Sequence, residues 1–255
     1  ESPQLFSNNL SEQMSKENED KYFSLIEKHI KEDVPLSHLV GFEYFYDRKY
    51  KVTKDVLSPR METEELIYKV IEYVKTSNKN KFKILDLCTG SGIIAITLKK
   101  ELDQVSVDVI ASDISEEAIE VAKENAQSHN ATIKFIKSDI FNDIDDKFDI
   151  IVSNPPYRKI ISGKLPEDET ERISKYEINL TLEELFIQIR RLLKNYGEFF
   201  VIVPDDRLND VFRYIYANNM NILSIEINKY KKLNLVIVHG KKGGKRNSGI
   251  NIYEK

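Results

Sequence analysis

The sequence predicts an α/β fold: a doubly wound, mostly parallel seven-stranded sheet with an antiparallel last strand, preceded by a short helix and a β-hairpin. Two observations carry this expectation. From residue 82 onward, short β-favouring apolar runs alternate with helix-length amphipathic stretches, an order that implies parallel pairing through right-handed crossovers. Near the end, the strand-like runs 221–228 and 233–239 follow one another without an intervening helix. Such a pair has to be antiparallel, because a parallel pair needs a long crossover.

Bulk properties exclude several classes. With 255 residues, 41% of them hydrophobic, the chain can bury a substantial core. A formal net charge of -4 argues against a uniformly basic nucleic-acid binder, although it leaves local patches open. Cys88 is the only cysteine, which excludes an internal disulfide framework and a cysteine-rich zinc site, and no metal is expected. No apolar run of about 18 residues is present to span a bilayer. The polar opening Glu1-Ser2-Pro3-Gln4 is not a signal peptide, so a cytoplasmic protein with no membrane partner is expected.

Residues 1–60 read as a helical appendage, a hairpin and a linker, and residues 61–255 as the main domain. In the appendage, Tyr22, Leu25, Ile26 and Ile30 share one helical face. The hairpin is expected as Val40–Tyr46 and Tyr50–Thr53 around a polar turn, Asp47-Arg48-Lys49. Pro59 and the acids of Glu62-Thr63-Glu64-Glu65 then open a helix with the apolar face Leu66, Ile67, Val70, Ile71 and Val74. The alternation that follows has strands at 82–87, 105–111, 132–136, 148–152 and 199–203, and helices at 93–100, 116–127, 181–194 and 206–217. Residues 158–179 read as an irregular polar segment and Lys241–Lys255 as a glycine- and lysine-rich tail.

Chemistry-bearing residues collect at the carboxyl ends of these strands, where open α/β sheets bind ligands. After the first strand comes Asp86-Leu87-Cys88-Thr89-Gly90-Ser91-Gly92, whose glycines let backbone approach a ligand and whose helix N-terminus offers free N–H groups. It departs from the dinucleotide fingerprint, since position 95 is Ala and the strand ends in an acid that would repel a pyrophosphate. Taken alone, it also reads as a tight turn with a capping aspartate. Asp113 ends the second strand and can accept both hydroxyls of a ribose, while Asp113 or Ser115 can equally cap the next helix. Asp139 follows the third strand. Behind Phe148–Ser153 stands Asn154-Pro155-Pro156-Tyr157, which places a side-chain amide, imide carbonyls and an aromatic face at a strand's end and suits a planar NH2 group.

Together, Asp86 to Gly92, Asp113, Asp139 and Asn154 to Tyr157 resemble the N-methylating class I S-adenosylmethionine-dependent methyltransferases, over about residues 37–255. The resemblance implies S-adenosyl-L-methionine as cofactor. Asp86, Cys88, Thr89, Gly90, Ser91 and Gly92 would hold its methionine part, Asp113 and Ile114 the ribose, and Asp139 and Ile140 the adenine, with Asn154 beside the cofactor as well. Asn154, Pro155 and Tyr157 would be catalytic and, with Pro156, would bind the acceptor. Because the acceptor lone pair of an amide or an adenine amine is delocalised, two carbonyl acceptors on its NH2 group would favour a tetrahedral nitrogen with its lone pair aimed at the methyl.

For the acceptor, the segment from Pro35 to Gly41, Phe45-Tyr46 and Val56 to Glu64 look like the hairpin and linker of release-factor glutamine methyltransferases. In that family a preceding helical domain and this hairpin help dock a peptide chain release factor, whose glutamine is methylated at N5. Beyond Tyr157, stretches such as Lys175-Tyr176-Glu177-Ile178, Val203-Pro204 and Gly240 to Lys245 look more like tRNA adenine-N6 methyltransferases. Lys229, Lys231, Lys232, Lys241, Lys242, Lys245 and Arg246 offer a basic cluster that could contact phosphates, or simply a solvated strand and tail. The long, specific hairpin and linker favour the glutamine acceptor, with tRNA as the alternative.

Overall fold

The computed structural model describes residues 14–32, 34–139, 143–158, 177–178, 180–229, 234–244 and 249–254. The chain divides into two units, residues 1–41 and 42–255. The first holds helix α1 (Lys16–Glu32), none of whose residues is buried, and the short helix α2 (Leu36–Val40). α2 replaces the beginning of the expected first hairpin strand. Gly41 ends it in the left-handed conformation, φ 81°, returning its N–H to Ser37 O.

The second unit opens with the hairpin β1 (Phe42–Phe45) and β2 (Arg48–Lys51). Phe45 pairs with Arg48, so the turn is Tyr46-Asp47, one residue earlier and shorter than expected. Both turn residues have positive φ, 51° and 57°, as a two-residue hairpin turn requires. Side chains fix the hairpin on the core: the Tyr50 hydroxyl meets Thr97 Oγ1 at 3.0 Å, and Arg48 pairs with Glu101 at 2.6 Å. Asn125 accepts from the Lys51 N–H at 2.7 Å and donates to Lys51 O at 3.0 Å and Ser91 O at 2.9 Å. This single buried amide ties the hairpin to the glycine turn.

Helix α3 (Glu62–Thr76) buries the expected apolar face, and β3 (Lys81–Leu87), α4 (Ile93–Glu101), β4 (Ser106–Asp113), α5 (Glu116–Ser128), β5 (Lys134–Lys137) and β6 (Phe148–Ser153) follow. Then come α6 (Leu182–Leu192), β7 (Leu193–Pro204), a 3-10 turn at Asp205–Arg207, α7 (Leu208–Ala217), β8 (Met220–Lys229), β9 (Asn234–Lys242) and β10 (Asn251–Glu254). The sheet order is β10-β8-β9-β7-β6-β3-β4-β5. β9 alone runs against its neighbours. β7 begins well before the expected strand at 199, because a register shift opposite Phe148–Ile150 absorbs its first residues and Tyr196 turns with φ 62°. The segment expected as a tail ends instead in β10, an eighth strand parallel to β8, whose alternating Ile252 and Glu254 are too few to signal a strand.

Alternation along the strands sorts the core into two layers. Phe82, Ile84, Val107, Val109, Ile150 and Val152 pack with α3 and α4, while Leu85, Leu87, Phe148, Ile151, Phe199 and Val201 pack with α6 and α7. Helices on both faces leave the carboxyl ends of the strands as the open edge. Asn125→Ala should cost about 2–4 kcal/mol, because it orphans groups of Lys51 and Ser91 around a buried site. Urea unfolding measures this, and a loss below about 1 kcal/mol would mean that water replaces the amide.

Candidate active site

Strand register assembles the site. Leu87 stands opposite both Ser112 of β4 and Ser153 of β6, so the residues that follow these strands emerge side by side. Ser153 Oγ reinforces the junction by donating to Leu87 O at 2.8 Å.

Asp86 is fully buried just before the turn. Its Oδ2 accepts from Thr89 Oγ1 at 2.6 Å and from the Ala95 N–H at 3.2 Å, whereas its buried Oδ1 has no partner among the described residues. Burial raises its pKa to about 7; the Thr89 and Ala95 bonds pull it back, and Asp113 adds to the rise. Burial, followed by the charges of Asp113 and Asp86, also pushes the Cys88 thiol upward, which makes Cys88 a poor nucleophile. Its φ of 61° lets the chain double back into the turn.

Within the turn, Thr89 N–H donates to Ser112 O at 3.0 Å and Gly92 N–H to Thr89 O at 3.0 Å. Gly92 has φ 83°, and a Cβ there would lie 3.0 Å from the Ala122 side chain, so glycine lets α4 begin against α5. At Gly90, φ 54°, a Cβ would meet nothing within 4 Å, which leaves open space over the turn. Asp113 joins the two neighbouring loops: Oδ2 accepts from the Gly90 N–H at 2.8 Å and Oδ1 from the Ser115 N–H at 3.1 Å. The cap of α5 is Ser115, which accepts from the Ala118 N–H at 3.1 Å. Burial raises the Asp113 pKa, and the backbone N–H groups of Gly90, Ser115 and Ile114 counter it.

Asp139 is exposed beyond β5 at the same edge, and Ile140 lies outside the described residues. Asn154 follows β6; its Nδ2 donates to Thr63 Oγ1 at 3.2 Å, and Pro155 behind it is buried. Tyr157 packs on the core layer of α3 and α4. Burial, more than the surrounding Arg60, Arg158, Glu62 and Asp206, sets its raised pKa and keeps its hydroxyl neutral. Its carbonyl accepts from Arg207 Nη1, and the buried Arg207 also pairs with Glu177 at 2.7 Å and Asp210 at 3.1 Å.

The expected site residues that lie within the described part thus stand along one sheet edge. Thr63, Asn125 and Arg207 are not among the expected site residues, although Thr63 belongs to the linker stretch Val56 to Glu64, because each meets the edge from far along the chain. Of the basic cluster, Lys229 pairs with Glu254 and Lys242 donates to Leu193 O at 2.8 Å. Lys231, Lys232, Lys245 and Arg246 lie outside the described residues. Among the described residues no group of three or more His, Cys, Asp or Glu could hold a metal ion, and no helix is long and apolar enough to cross a membrane.

Comparison with known proteins gives these features a context. Residues 70–212 match the family described as the methyltransferase small domain. A release factor glutamine methyltransferase of Lactococcus lactis is 41% identical over 178 residues, covering 68% of this chain and 62% of the relative. That of Bacillus cereus is 38% identical over 170 residues, covering 65% and 56%. The chain therefore spans somewhat over half the length of these curated relatives. In fold, it is similar to a putative class I S-adenosylmethionine-dependent methyltransferase of Listeria monocytogenes, with a TM-score of 0.62 at 18% identity, over 91% of this chain and 70% of that one.

The Asp86 carboxyl has a measurable consequence. An unfolded aspartate releases its proton near 3.8, whereas the folded one keeps it to about 7, so its contribution to stability is complete below the lower value. It is lost as pH rises through the higher one, by up to roughly 1.4 kcal/mol per pH unit in between. Asp86→Asn should remove this share of the slope in urea titrations between about pH 5 and 7. An unchanged slope would show that Asp86 is ionised throughout.

Proposed function

The chain belongs to the methyltransferase small domain family, and on that premise we propose an S-adenosylmethionine-dependent methyltransferase that modifies the side-chain amide nitrogen, N5, of a glutamine in a peptide chain release factor. One observation carries the chemistry. The Asn154 amide is held at its NH2 end by Thr63, which leaves its oxygen without a partner among the described residues, at a strand end beside the glycine turn. Support for a glutamine acceptor comes from the relatives named release factor glutamine methyltransferase and from a hairpin anchored on the core.

The edge fits the cofactor. The unpartnered Asp86 oxygen and the open space over Gly90 suit a ligand that carries a cationic group and approaches backbone closely. Asp86, Cys88, Thr89, Gly90, Ser91 and Gly92 would line the methionine part, Asp113 and Ile114 the ribose, and Asp139 and Ile140 the adenine. When bound, S-adenosylmethionine supplies a methyl group activated by its sulfonium charge. The protein then has to align and desolvate an acceptor that is a poor nucleophile.

Asn154 Oδ1 and the Pro155 carbonyl would accept both hydrogens of the acceptor NH2, drawing its lone pair out of conjugation. These fixed dipoles gain strength as positive charge develops on nitrogen, so they favour the transition state over the ground state. Tyr157, neutral and held through its carbonyl by Arg207, would present its ring to the planar acceptor. The first step needs no general base, because the proton is lost after the nitrogen has become cationic.

Asn154→Ala should lower methyl transfer by roughly 100-fold or more while cofactor affinity stays nearly unchanged; equal loss of both, measured by turnover and calorimetry, would remove Asn154 from the acceptor side. Asp113→Ala should weaken cofactor binding by roughly 10- to 100-fold, and undiminished affinity would limit Asp113 to bridging the loops. The acceptor itself is tested by offering release factor and unmodified tRNA together with radiolabelled cofactor. Label in the release factor is the expected result, and label in RNA alone would overturn the glutamine reading.

A further inference from the structure

We propose that Arg207 is a positioning residue for the acceptor site, its guanidinium fixing the carbonyl of Tyr157 and with it the path of the tetrapeptide off β6; the inference deepens the amide-nitrogen methylation reading and rests on it. The need for such a residue lies in the sequence. Pro155 and Pro156 bring no N–H, so this stretch cannot be anchored through its own backbone donors. Their rings fix φ at both positions but leave the far end, Tyr157, to whatever its carbonyl meets. Among the described residues, that carbonyl meets Arg207.

Each guanidinium nitrogen has its own partner. Nη1 donates to Tyr157 O, Nη2 faces Glu177 Oε1 at 2.7 Å, and Nε donates to Asp210 Oδ2 at 3.1 Å. A guanidinium carries donors only, so the direction of the Tyr157 bond is not open to reversal. The plane of the fork is set as well, since two carboxylates hold two of its corners, and with Arg207 only 5% exposed water does not replace them. Glu177 in turn donates its N–H to Arg158 O at 2.9 Å, which ties the residue after the tetrapeptide to the same corner. Arg207 itself ends the 3-10 turn that leaves β7, and β7 runs parallel to β6 with Val201 level with Ser153. Two neighbouring strand ends are thus locked through one buried cation. A lysine cannot reproduce this, because a compact ammonium on a flexible stem lacks the planar fork.

Two variants test the role. Arg207→Lys keeps the charge that Glu177 and Asp210 require but not the fork, and Glu177→Gln keeps Arg207 while loosening one corner of its plane. In protein labelled with fluorotyrosine, the resonance that disappears in Tyr157→Phe is followed with no acceptor present. Arg207→Lys should shift this resonance and lower kcat/KM for the acceptor by about tenfold, with cofactor affinity, measured by calorimetry, changed less than about twofold. Glu177→Gln should act in the same direction by about threefold. A Tyr157 resonance unmoved in the lysine variant or, if that one does not fold, in the glutamine variant would overturn the assignment. So would a shifted resonance with unchanged kcat/KM, or a loss of cofactor affinity equal to the loss of turnover, which is what plain destabilisation gives. Label confined to tRNA would overturn the glutamine acceptor alone, since the resonance is read without acceptor and kcat/KM can be measured on whichever substrate takes the methyl.

Discussion

The parallel register of β3 against β4 and β6 is the constraint on which the rest of the molecule depends. With Leu87 level with Ser112 and Ser153, the chain leaves three strands at one height, and the loops that follow have to share a narrow strip of edge. A slip of one residue would turn every side chain to the opposite layer, sending Leu85 and Leu87 away from the layer of α6 and α7 and Asp86 away from α4. The two unlike apolar layers enforce the register, and the register places the polar groups.

Once the strands are set, a few buried polar side chains complete the edge. Asn125 joins hairpin and glycine turn, Asp113 joins two loops, and Arg207 holds the carbonyl of Tyr157 against two carboxylates. In a poorly solvated setting such bonds are strong when made and costly when broken, which suits a site that has to be rigid before its ligand arrives. Asp86 is the exception. One oxygen of its carboxyl accepts two bonds and the other is buried with no partner among the described residues, the kind of acceptor that a cationic ligand would engage.

The sheet and the residues along its edge were legible because both follow local rules. Period-two runs such as Phe148–Val152 announce strands, and a ligand-binding edge lies at their carboxyl ends by topology alone. What could not be read was set at a distance. The first residues of β7 hide within a helical pattern because a register shift against Phe148 decides them, and β10 is a strand only because β8 lies beside it. The turn of the hairpin was misplaced by one residue since Tyr46 has no intrinsic preference for positive φ; its N–H bond to Glu64 compensates. In the same way Thr63 looked like part of an acidic helix start, and nothing local tells that its hydroxyl faces a strand end 91 residues later.

The reversed strand β9 has a bearing on how the protein is made. It lies between β7 and β8, pairing with both, so Phe199–Val203 keeps a bare hydrogen-bonding edge until residues 234–242 have left the ribosome. That edge is apolar on both faces and free of charge over five residues, the composition that recruits stray strands from other chains. Completion of the sheet therefore waits on a late segment, and α7, which packs its Val211 and Ile215 into the layer beside this strand, can shield one face of it but not its rim. Slow translation between the two strands is the interval in which a nascent chain of this kind most needs a chaperone.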